Sequence, residues 1–386
     1  MFRFALHYFV LYALVATVWP YFPTFLKARG FSMAEIGLLQ GFRMLAEAAG
    51  PLMVAYLSQR LGRRRAVISG CLVAFGAASF ALNTVSSFLP AALLMAAAGY
   101  ALRTTIPLSD TLAATELPDP AHNYGRIRIG GSLGFVATLW CVRIFNLINE
   151  QASWSMTRAM LVGAALCLVS TQLLPERHAI AHVERPEERD ERRFDAFFWA
   201  FIIAAALQQL GMSAHYAFFT LYVQQTFHMS KAAWVWSIGP LAEMPFLFFA
   251  GPITRRFRLS TLLIVSAVGV TVRLGIYALV PVLAAVLAAQ LLHSLAFGLF
   301  HATCIEFIRR RVPAGRRAIG MGIYMSIATA LPLLIGSSVG GLFIERFGYA
   351  AFYGAYAVAP LVGIVVIAVA RAHKSAPENP RLKSEV

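Results

Sequence analysis

Charged side chains are scarce in this sequence. Asp, Glu, Lys and Arg make up 13% of its 386 residues, against roughly 25% in soluble globular domains. Hydrophobic residues make up 59%, and many of them form near-continuous apolar runs of about 20 residues, the length that spans a bilayer as a helix. A water-soluble chain could not bury so much apolar surface. The composition therefore excludes an ordinary soluble protein and predicts membrane-spanning helices.

Cysteine and lysine are rare as well. The four cysteines fall in apolar runs without a C-x-x-C pair, so we predict neither disulfides nor a metal site. None of the four lysines completes a P-loop. Residues 130–134 satisfy G-x-S-x-G, but they lie in a predicted membrane helix and not at the strand-to-helix turn of a hydrolase. We therefore predict no enzyme activity and no cofactor.

Small residues in the apolar runs have a structural interpretation. Close approach of two membrane helices requires small side chains at the contact. We expect such contacts at Gly130, Gly134, Gly336 and Gly340.

Twelve apolar runs predict an all-α integral membrane protein. The predicted helices lie near residues 4–26, 35–58, 66–84, 88–114, 127–147, 155–174, 196–222, 233–253, 261–279, 282–308, 318–343 and 350–371. Residues 175–195 carry a dense mixture of both charges and are interpreted as a cytoplasmic linker. This predicts an N-terminal six-helix bundle at 1–174, a C-terminal six-helix bundle at 196–372 and a cytoplasmic tail at 373–386.

The net charge of +15 follows the predicted loops. Most arginines fall in alternate loops, and the opposite loops contain only Lys27, Arg29, Arg158, Lys231 and Arg346. This asymmetry is the positive-inside pattern, and it predicts that both termini are cytoplasmic in a cell inner membrane. The basic charge therefore reflects topology and attraction to lipid headgroups, and no nucleic-acid partner is predicted.

The two predicted bundles resemble each other at an offset of 196 residues. At this offset Leu45-Ala46-Glu47 falls on Leu241-Ala242-Glu243, Arg60 on Arg256, and Asp110 on Glu306. Duplication of a six-helix unit explains these matches economically. Parallel repeats of this kind are typical of secondary transporters, whose substrate site lies between the repeats.

The segment from Gly50 to Arg65 resembles the G-x-x-x-D-R-x-G-R-R signature of the major facilitator superfamily. Gly62 and Arg63 occupy motif positions, whereas Ser58 or Gln59 replaces the acidic residue. The resemblance implies two six-helix bundles related by a pseudo-two-fold axis. The gating ion pair of that signature lacks its carboxylate here.

Within the superfamily the chain is similar to the phenylpropionate permease group, relatives of the lactose and nucleoside proton symporters. The matching stretches are 107–113, 124–128, 131–135, 214–216, 236–239, 242–243, 272–275 and 290–293. The resemblance implies gating or structural roles for Asp110, Tyr124, Gly125 and Arg126. It further implies that an Arg and a His of the C-terminal half carry proton coupling, which corresponds to Arg273 and His293. Ala296 stands where the lactose symporter has a carboxylate.

Several ionisable residues fall inside predicted helices. Each costs at least about 2.5–3.5 kcal/mol on insertion scales if it faces lipid, so we expect them to face the protein interior. One interpretation is mutual neutralisation, with Arg43 paired to Glu47, Arg273 to Glu243, and Arg103 to Asp110. The functional interpretation makes Glu243 a proton carrier, with His293 and Glu47 as further proton-coupling candidates.

The arginines predict the class of substrate. Arg43, Arg103 and Arg273 would make the interior positive and suited to a carboxylate, and the resemblance implies an aromatic acid such as 3-phenylpropionate. His215, Tyr216 and Trp236 are further candidates for substrate contacts. We predict proton-coupled uptake of a small organic acid by a monomer. The alternatives are sugar or nucleoside symport, export of drugs or sugars, and a receptor or membrane enzyme that does not transport.

Overall fold

The computed structural model describes residues 1–61, 63–117, 120–176 and 194–373. These ranges contain helices and short connections and no β-strand. The first half contains α1 (Phe2–Val18), α2 (Phe22–Ala28), α3 (Met33–Leu61), α4 (Arg64–Leu82), α5 (Phe88–Glu116), α6 (Pro120–Phe145) and α7 (Ser153–Gln172).

The second half contains α8 (Ala196–Thr226), α9 (Ile238–Arg256), α10 (Leu259–Leu279), α11 (Leu283–Ala289), α12 (Phe300–Arg311), α13 (Arg317–Ile323) and α14 (Leu331–Ala372). A 3₁₀ turn at Ala233–Ser237 leads into α9. Between α11 and α12 the chain passes through a 3₁₀ turn and then a π-helix at Ser294–Leu299. A second π-helix, Tyr324–Ala330, joins α13 to α14.

The structure interrupts one predicted helix and merges two others into one long helix with a turn. The first breaks at Trp19-Pro20-Tyr21 between α1 and α2, because proline lacks the N–H of a helical hydrogen bond and its ring clashes with the preceding turn. The long helix α14 turns at Gly348, whose φ of 76° and ψ of 175° are not helical. A positive φ favours glycine, so Gly348 separates the predicted helices 318–343 and 350–371.

Nine helical segments of the described residues are long and apolar enough to cross a membrane. One of them, Ile319–Ala372, contains the turn at Gly348 and makes two passages. The other two predicted membrane helices are α3 and α9, whose apolar faces are interrupted by Arg43 and Glu47 and by Glu243. The all-α, twelve-passage architecture predicted from the sequence is therefore confirmed.

The helices form two compact units. The described residues of unit 1 fall in Met1–Val183, Ala217–Ser237 and Ser337–Glu345, and those of unit 2 fall in Glu184–Tyr216, Ile238–Gly336 and Arg346–Val386. In unit 1, α1 packs on α6 and α7, and α5 packs on α3 and α4. In unit 2, aromatic stacking organises one end of the core, where the rings of Phe201 and Phe307 lie parallel with centroids 3.7 Å apart.

Glycines allow the closest helix contacts, as predicted for three of the four positions. Within unit 1, a Cβ at Gly130 would press on the carbonyl oxygen of Ala5, and one at Gly134 would overlap that of Phe9. Within unit 2, a Cβ at Gly336 would overlap the Ser213 hydroxyl. The α1–α6 contact of unit 1 therefore depends on backbone-to-backbone approach.

Gly134→Ala should destabilise the protein. Its new methyl group forces α6 away from α1, an overpacking that costs about 1–3 kcal/mol. Gly125→Ala is the matched control, because Gly125 lies on the same helix with no atom near its missing Cβ and alanine gains up to about 1 kcal/mol in helix propensity. Thermal unfolding in detergent should show a lower midpoint for Gly134→Ala only; equal midpoints would contradict the close contact.

Candidate functional site

Arg273 is the centre of a buried polar cluster in unit 2. Its side chain on α10 is fully buried, and Nε donates to the Tyr277 hydroxyl at 2.8 Å. Nη2 donates to Oε1 of Gln290 at 2.5 Å and to Nε2 of His215 at 3.0 Å. Nη1 lies 3.2 Å from Nδ1 of His293. Tyr277 is within reach because residues four apart share a helix face.

The acceptors around Arg273 are neutral. A guanidinium has only donors, so the facing nitrogens, Nε2 of His215 and Nδ1 of His293, must present lone pairs. Each imidazole therefore carries its proton on the other nitrogen, which for His293 is Nε2. The interpretation that Arg273 pairs with Glu243 is wrong, since no described carboxylate lies within ion-pair distance of Arg273.

The orientation of Gln290 follows from the same argument. Its Oε1 accepts from Arg273, and its Nε2 donates to the Tyr277 hydroxyl at 2.6 Å. That hydroxyl thus receives bonds from both Arg273 and Gln290. Arg273, Tyr277 and Gln290 therefore form a closed triangle of hydrogen bonds that fixes the plane of the guanidinium. The remaining hydrogen bonds of the guanidinium go to the two histidines.

Glu243 is linked to this cluster through His293. Its Oε2 lies 3.9 Å from Nε2 of His293, the nitrogen that carries the proton. Two glycines allow this approach: a Cβ at Gly239 would lie 3.0 Å from the His293 ring, and one at Gly298 would lie 3.2 Å from Cγ of Glu243. A continuous row of polar groups therefore runs from Glu243 through His293 and Arg273 to His215.

Irregular backbone surrounds His293. The residue follows the 3₁₀ turn Gln290–Leu292 and precedes the π-helix Ser294–Leu299. Gln290 and His293, three residues apart in this segment, both contact Arg273. Mid-helix 3₁₀ and π segments are often found at functional sites.

A row of rings continues from His293 along the same span. The ring of Phe297 stacks on His293 with centroids 5.2 Å apart, and His301 meets Phe297 edge-on at 4.4 Å. Nδ1 of His301 lies 2.6 Å from the Tyr324 hydroxyl, where the second π-helix begins. These residues occupy successive turns, so they line one side of the span.

A second polar cluster lies in unit 1. The Tyr8 hydroxyl donates to Oδ1 of Asp110 at 2.5 Å, and Nη1 of Arg128 lies 3.9 Å from the same oxygen. The guanidinium of Arg128 lies over the Tyr12 ring at 4.7 Å, and its buried Nη1 has no hydrogen-bond partner within the described part of the chain. This cluster offers a carboxylate, a cation and an aromatic face together.

Arg43, Glu47 and Arg103 have partners outside this cluster. The predicted pair of Arg43 and Glu47 forms on α3, so each neutralises the other. The interpretation that Arg103 pairs with Asp110 is wrong, because Arg128 takes that position. The Arg103 guanidinium lies instead over the Trp19 ring, 5.7 Å from its centroid.

Two aromatic candidates for substrate contact differ in their surroundings. In unit 2, the ring of Tyr216 lies 5.8 Å from that of His215, beside the Arg273 cluster. Trp236 belongs to unit 1, where Nε1 donates to the Thr220 hydroxyl at 2.8 Å. The structure thus brings His215 and Tyr216 to the cluster, whereas the described contact of Trp236 is with Thr220 within unit 1.

The motif residues lie at the helix ends. Gly62 and the side chain of Arg126 are outside the described residues. Arg63 is exposed immediately before α4, Gly125 is exposed on α6, and Tyr124 packs against the apolar core of unit 1. None of these contacts assigns a gating role.

Four members of the clusters are not among the residues predicted from the sequence, namely Tyr277, Gln290, Arg128 and Tyr8. Tyr277 follows Arg273 by four residues, and Gln290 precedes His293 by three, so helical spacing contained a signal for both. Arg128 falls at the very start of the predicted helix 127–147, beside a basic loop, and α6 carries its side chain into the unit. Its position one turn beyond Tyr124 was the available signal.

Comparison with known proteins agrees with this architecture. A probable 3-phenylpropionic acid transporter of Escherichia coli is 24% identical, over 90% of this chain and 92% of its own length. Maltose permease of Geobacillus stearothermophilus is 25% identical, over 94% and 93%. The crystal structure of the nucleoside transporter NupG superposes with a TM-score of 0.82 at 16% identity, covering 97% of this chain and 99% of that chain.

Residues 1–355 match the model of the MFS_1 like family. The matched range includes both polar clusters, and the similar proteins are transporters. The chain therefore belongs to the MFS_1 like family of major facilitator proteins, and it is a multi-pass membrane protein that acts as a secondary transporter of a small molecule and not as an enzyme.

Proposed function

We propose that the protein takes up a small organic acid, with 3-phenylpropionate as the first candidate, together with protons and by alternating access. The observation that carries this proposal is the fully buried Arg273, whose contacts are neutral acceptors. A buried positive charge is costly unless an anion compensates it. A substrate carboxylate is such an anion.

The geometry suggests how the carboxylate binds. Arg273 presents Nη1 and Nη2 to the two histidines, and Nε and Nη2 to Tyr277 and Gln290. Carboxylate oxygens are stronger acceptors than neutral imidazole nitrogens and match the fork of a guanidinium. The acid therefore displaces the histidine contacts, while Tyr277 and Gln290 continue to hold the guanidinium in place.

Displacement of His293 couples the acid to a proton. While Nδ1 of His293 accepts from Arg273, that nitrogen has no free lone pair for a proton. Once the carboxylate accepts the hydrogen bonds of Arg273 in place of His293, Nδ1 of His293 binds a proton. Glu243 stabilises the resulting imidazolium through Nε2–H. Anion and proton then enter together. When the acid leaves, Glu243 takes the Nε2 proton and releases it to the inner side, and the ring returns through solvent to the Nε2–H tautomer, so that Nδ1 again accepts from Arg273.

The other parts of the proposal rest on sequence and family. The relative from Escherichia coli named as a probable 3-phenylpropionic acid transporter supports an aromatic acid. The repeat of 196 residues supports alternating access by two similar halves. The distribution of arginine supports an inner-membrane protein with both termini in the cytoplasm.

Sugar or nucleoside symport is the second candidate, and the unit 1 cluster favours it. Asp110 and Arg128 provide an acceptor and a donor beside the Tyr12 ring, which suits a ligand with hydroxyl groups and an apolar face. The maltose and nucleoside transporters among the similar proteins support this alternative.

Cells that express the protein should accumulate labelled 3-phenylpropionate above a vector control, because the inward proton gradient drives a coupled acid. A protonophore should abolish the accumulation but leave equilibration. Accumulation that persists without a gradient would contradict proton coupling, and accumulation of maltose or a nucleoside instead would favour the second candidate.

Glu243→Gln should abolish accumulation while preserving exchange of labelled for unlabelled acid in proteoliposomes. Glutamine keeps the shape of the side chain but cannot exchange a proton, and exchange needs no net proton movement. Glu35→Gln is the matched control, since Glu35 binds the backbone of Ser32 near the start of α3. Normal accumulation by Glu243→Gln would assign Glu243 a structural role.

Arg273→Lys should raise the KM for the acid by about tenfold or more, since the loss of a hydrogen bond to a charged group costs about 1.5–3 kcal/mol and lysine lacks the planar fork. Arg128→Lys makes the same change in unit 1 and should alter the KM little. The opposite ranking would move the substrate site to Asp110 and Arg128.

A further inference from the structure

Two side chains from neighbouring helices donate to the backbone of the π-helix Ser294–Leu299. On α8, Nε2 of the fully buried Gln208 donates to the carbonyl oxygen of Ala296 at 3.3 Å. On α10, the hydroxyl of the buried Ser266 donates to the carbonyl oxygen of Leu295 at 2.8 Å. All of these residues belong to unit 2. The irregular segment is therefore bound to two other helices through its own carbonyl groups.

The two donors also bind each other, and in one direction only. Nε2 of Gln208 lies 2.6 Å from the hydroxyl oxygen of Ser266. Because the single proton of that hydroxyl goes to a backbone carbonyl, the hydroxyl oxygen accepts from the amide. Both protons of Nε2 are thus used, one on Ser266 and one on Ala296. The hydrogen bonds therefore run from Gln208 through Ser266 to the backbone and cannot be reversed.

The oxygen of the Gln208 amide shows that the π-helix determines the orientation of this side chain. Its buried Oε1 has no hydrogen-bond partner within the described part of the chain. A buried acceptor without a partner is costly. A flipped amide, however, would place that oxygen against the carbonyl oxygen of Ala296, which cannot donate. The amide therefore keeps the orientation in which it donates to the π-helix.

The carbonyls that accept these bonds lie between the two members of the proposed proton pair. His293, which contacts Arg273, comes directly before the π-helix. Gly298, near the other end of the π-helix, faces Glu243, because a Cβ at Gly298 would lie 3.2 Å from Cγ of Glu243. The position of the backbone between His293 and Gly298 therefore sets how His293 lies relative to Glu243.

We propose that Gln208 and Ser266 are positioning residues, which keep His293 against Arg273 by stabilising the π-helix. This inference rests on the proton coupling proposed above. If the π-helix converted to α-helical bonding, the residues before it would turn relative to those after it by about 100°, the step of one residue. His293 would then leave Arg273. The same conversion would turn both carbonyls away from their donors, so Gln208 and Ser266 oppose it.

The other contacts of the π-helix do not select one arrangement of its backbone. They are largely apolar: a Cβ at Gly269 of α10 would lie 3.0 Å from Cβ of Leu295, and the Phe246 ring of α9 lies beside Gly298. Apolar contact is non-directional, so it tolerates a turn of the segment. Hydrogen bonds weaken steeply when their geometry changes, and those of Gln208 and Ser266 therefore supply the selection.

Nitrogen NMR of histidine tests the proposal without any substrate. Full-length protein with isotopically labelled histidine is reconstituted in proteoliposomes, and the His293 signals are identified by their loss in His293→Gln. In the native protein His293 should show a single form, with its proton on Nε2, because Nδ1 faces Arg273. The double variant Gln208→Met, Ser266→Ala should show mixed forms, since the loss of three hydrogen bonds shifts the balance between arrangements at least about tenfold.

Further variants separate positioning from general damage. Gln208→Met alone removes the unpartnered Oε1 together with the donors, so it should unfold at a midpoint close to that of the native protein and still give mixed forms.

Two matched controls should keep the single form of His293. Gln209→Met changes the next buried residue of α8, which lies about 100° further round the helix and makes none of these bonds. Ser326→Ala removes a hydroxyl that donates to the carbonyl oxygen of Gly322 within its own segment at 2.7 Å.

The outcomes distinguish the positioning role from the proposed coupling. A single Nε2–H form of His293 in folded Gln208→Met and in the double variant would overturn the positioning role, and so would mixed forms in either control. Mixed forms together with undiminished accumulation of 3-phenylpropionate would keep the placement of His293 by these residues and reject coupling through His293. Mixed forms with lost accumulation but preserved exchange of the acid would support both proposals.

Discussion

A guanidinium inside a membrane helix has to be solvated by the protein itself, and this requirement governs the second half of the chain. Lipid supplies no acceptor for Arg273, so α8 and α10 each contribute one, and the irregular segment before α12 contributes two. An arginine side chain cannot accept a hydrogen bond. This single fact determines which atoms of Gln290 accept and donate and which nitrogen of each histidine carries the proton. One charge therefore determines the orientation of the groups around it.

The two halves differ at one informative position of the repeat. Arg43 precedes Glu47 by one turn and neutralises it, whereas the equivalent residue before Glu243 is Gly239. The absent side chain leaves space that the His293 ring occupies. A fixed ion pair in the first half thus corresponds to a titratable pair, Glu243 and His293, in the second. Divergence of a duplicated unit explains why proton coupling is proposed for one half only.

The sequence predicts local and periodic features well. Run length predicted the membrane passages, helical spacing predicted the Arg43–Glu47 pair, and small residues predicted the α1–α6 contact. Contacts between distant segments were not predictable. Arg273 obtains partners from residues 58 and 17 positions away, and no periodic pattern encodes such pairs. The 3₁₀ and π segments were also missed, because their sequence is as apolar as that of a regular helix.

The π-helices have a consequence for motion within a single span. A π turn contains more residues than an α turn, so a span with a π segment contains extra residues that a regular helix of the same length would not have. Moving that surplus along Ser294–Leu299 by one residue re-aims the side chains it passes by about 100°, the angular step of a helix with 3.6 residues per turn. The ends of the span can stay fixed at the membrane surfaces meanwhile. Phe297, whose ring contacts both His293 and His301, can therefore change its facing direction through a local slip, with no displacement of a whole helix.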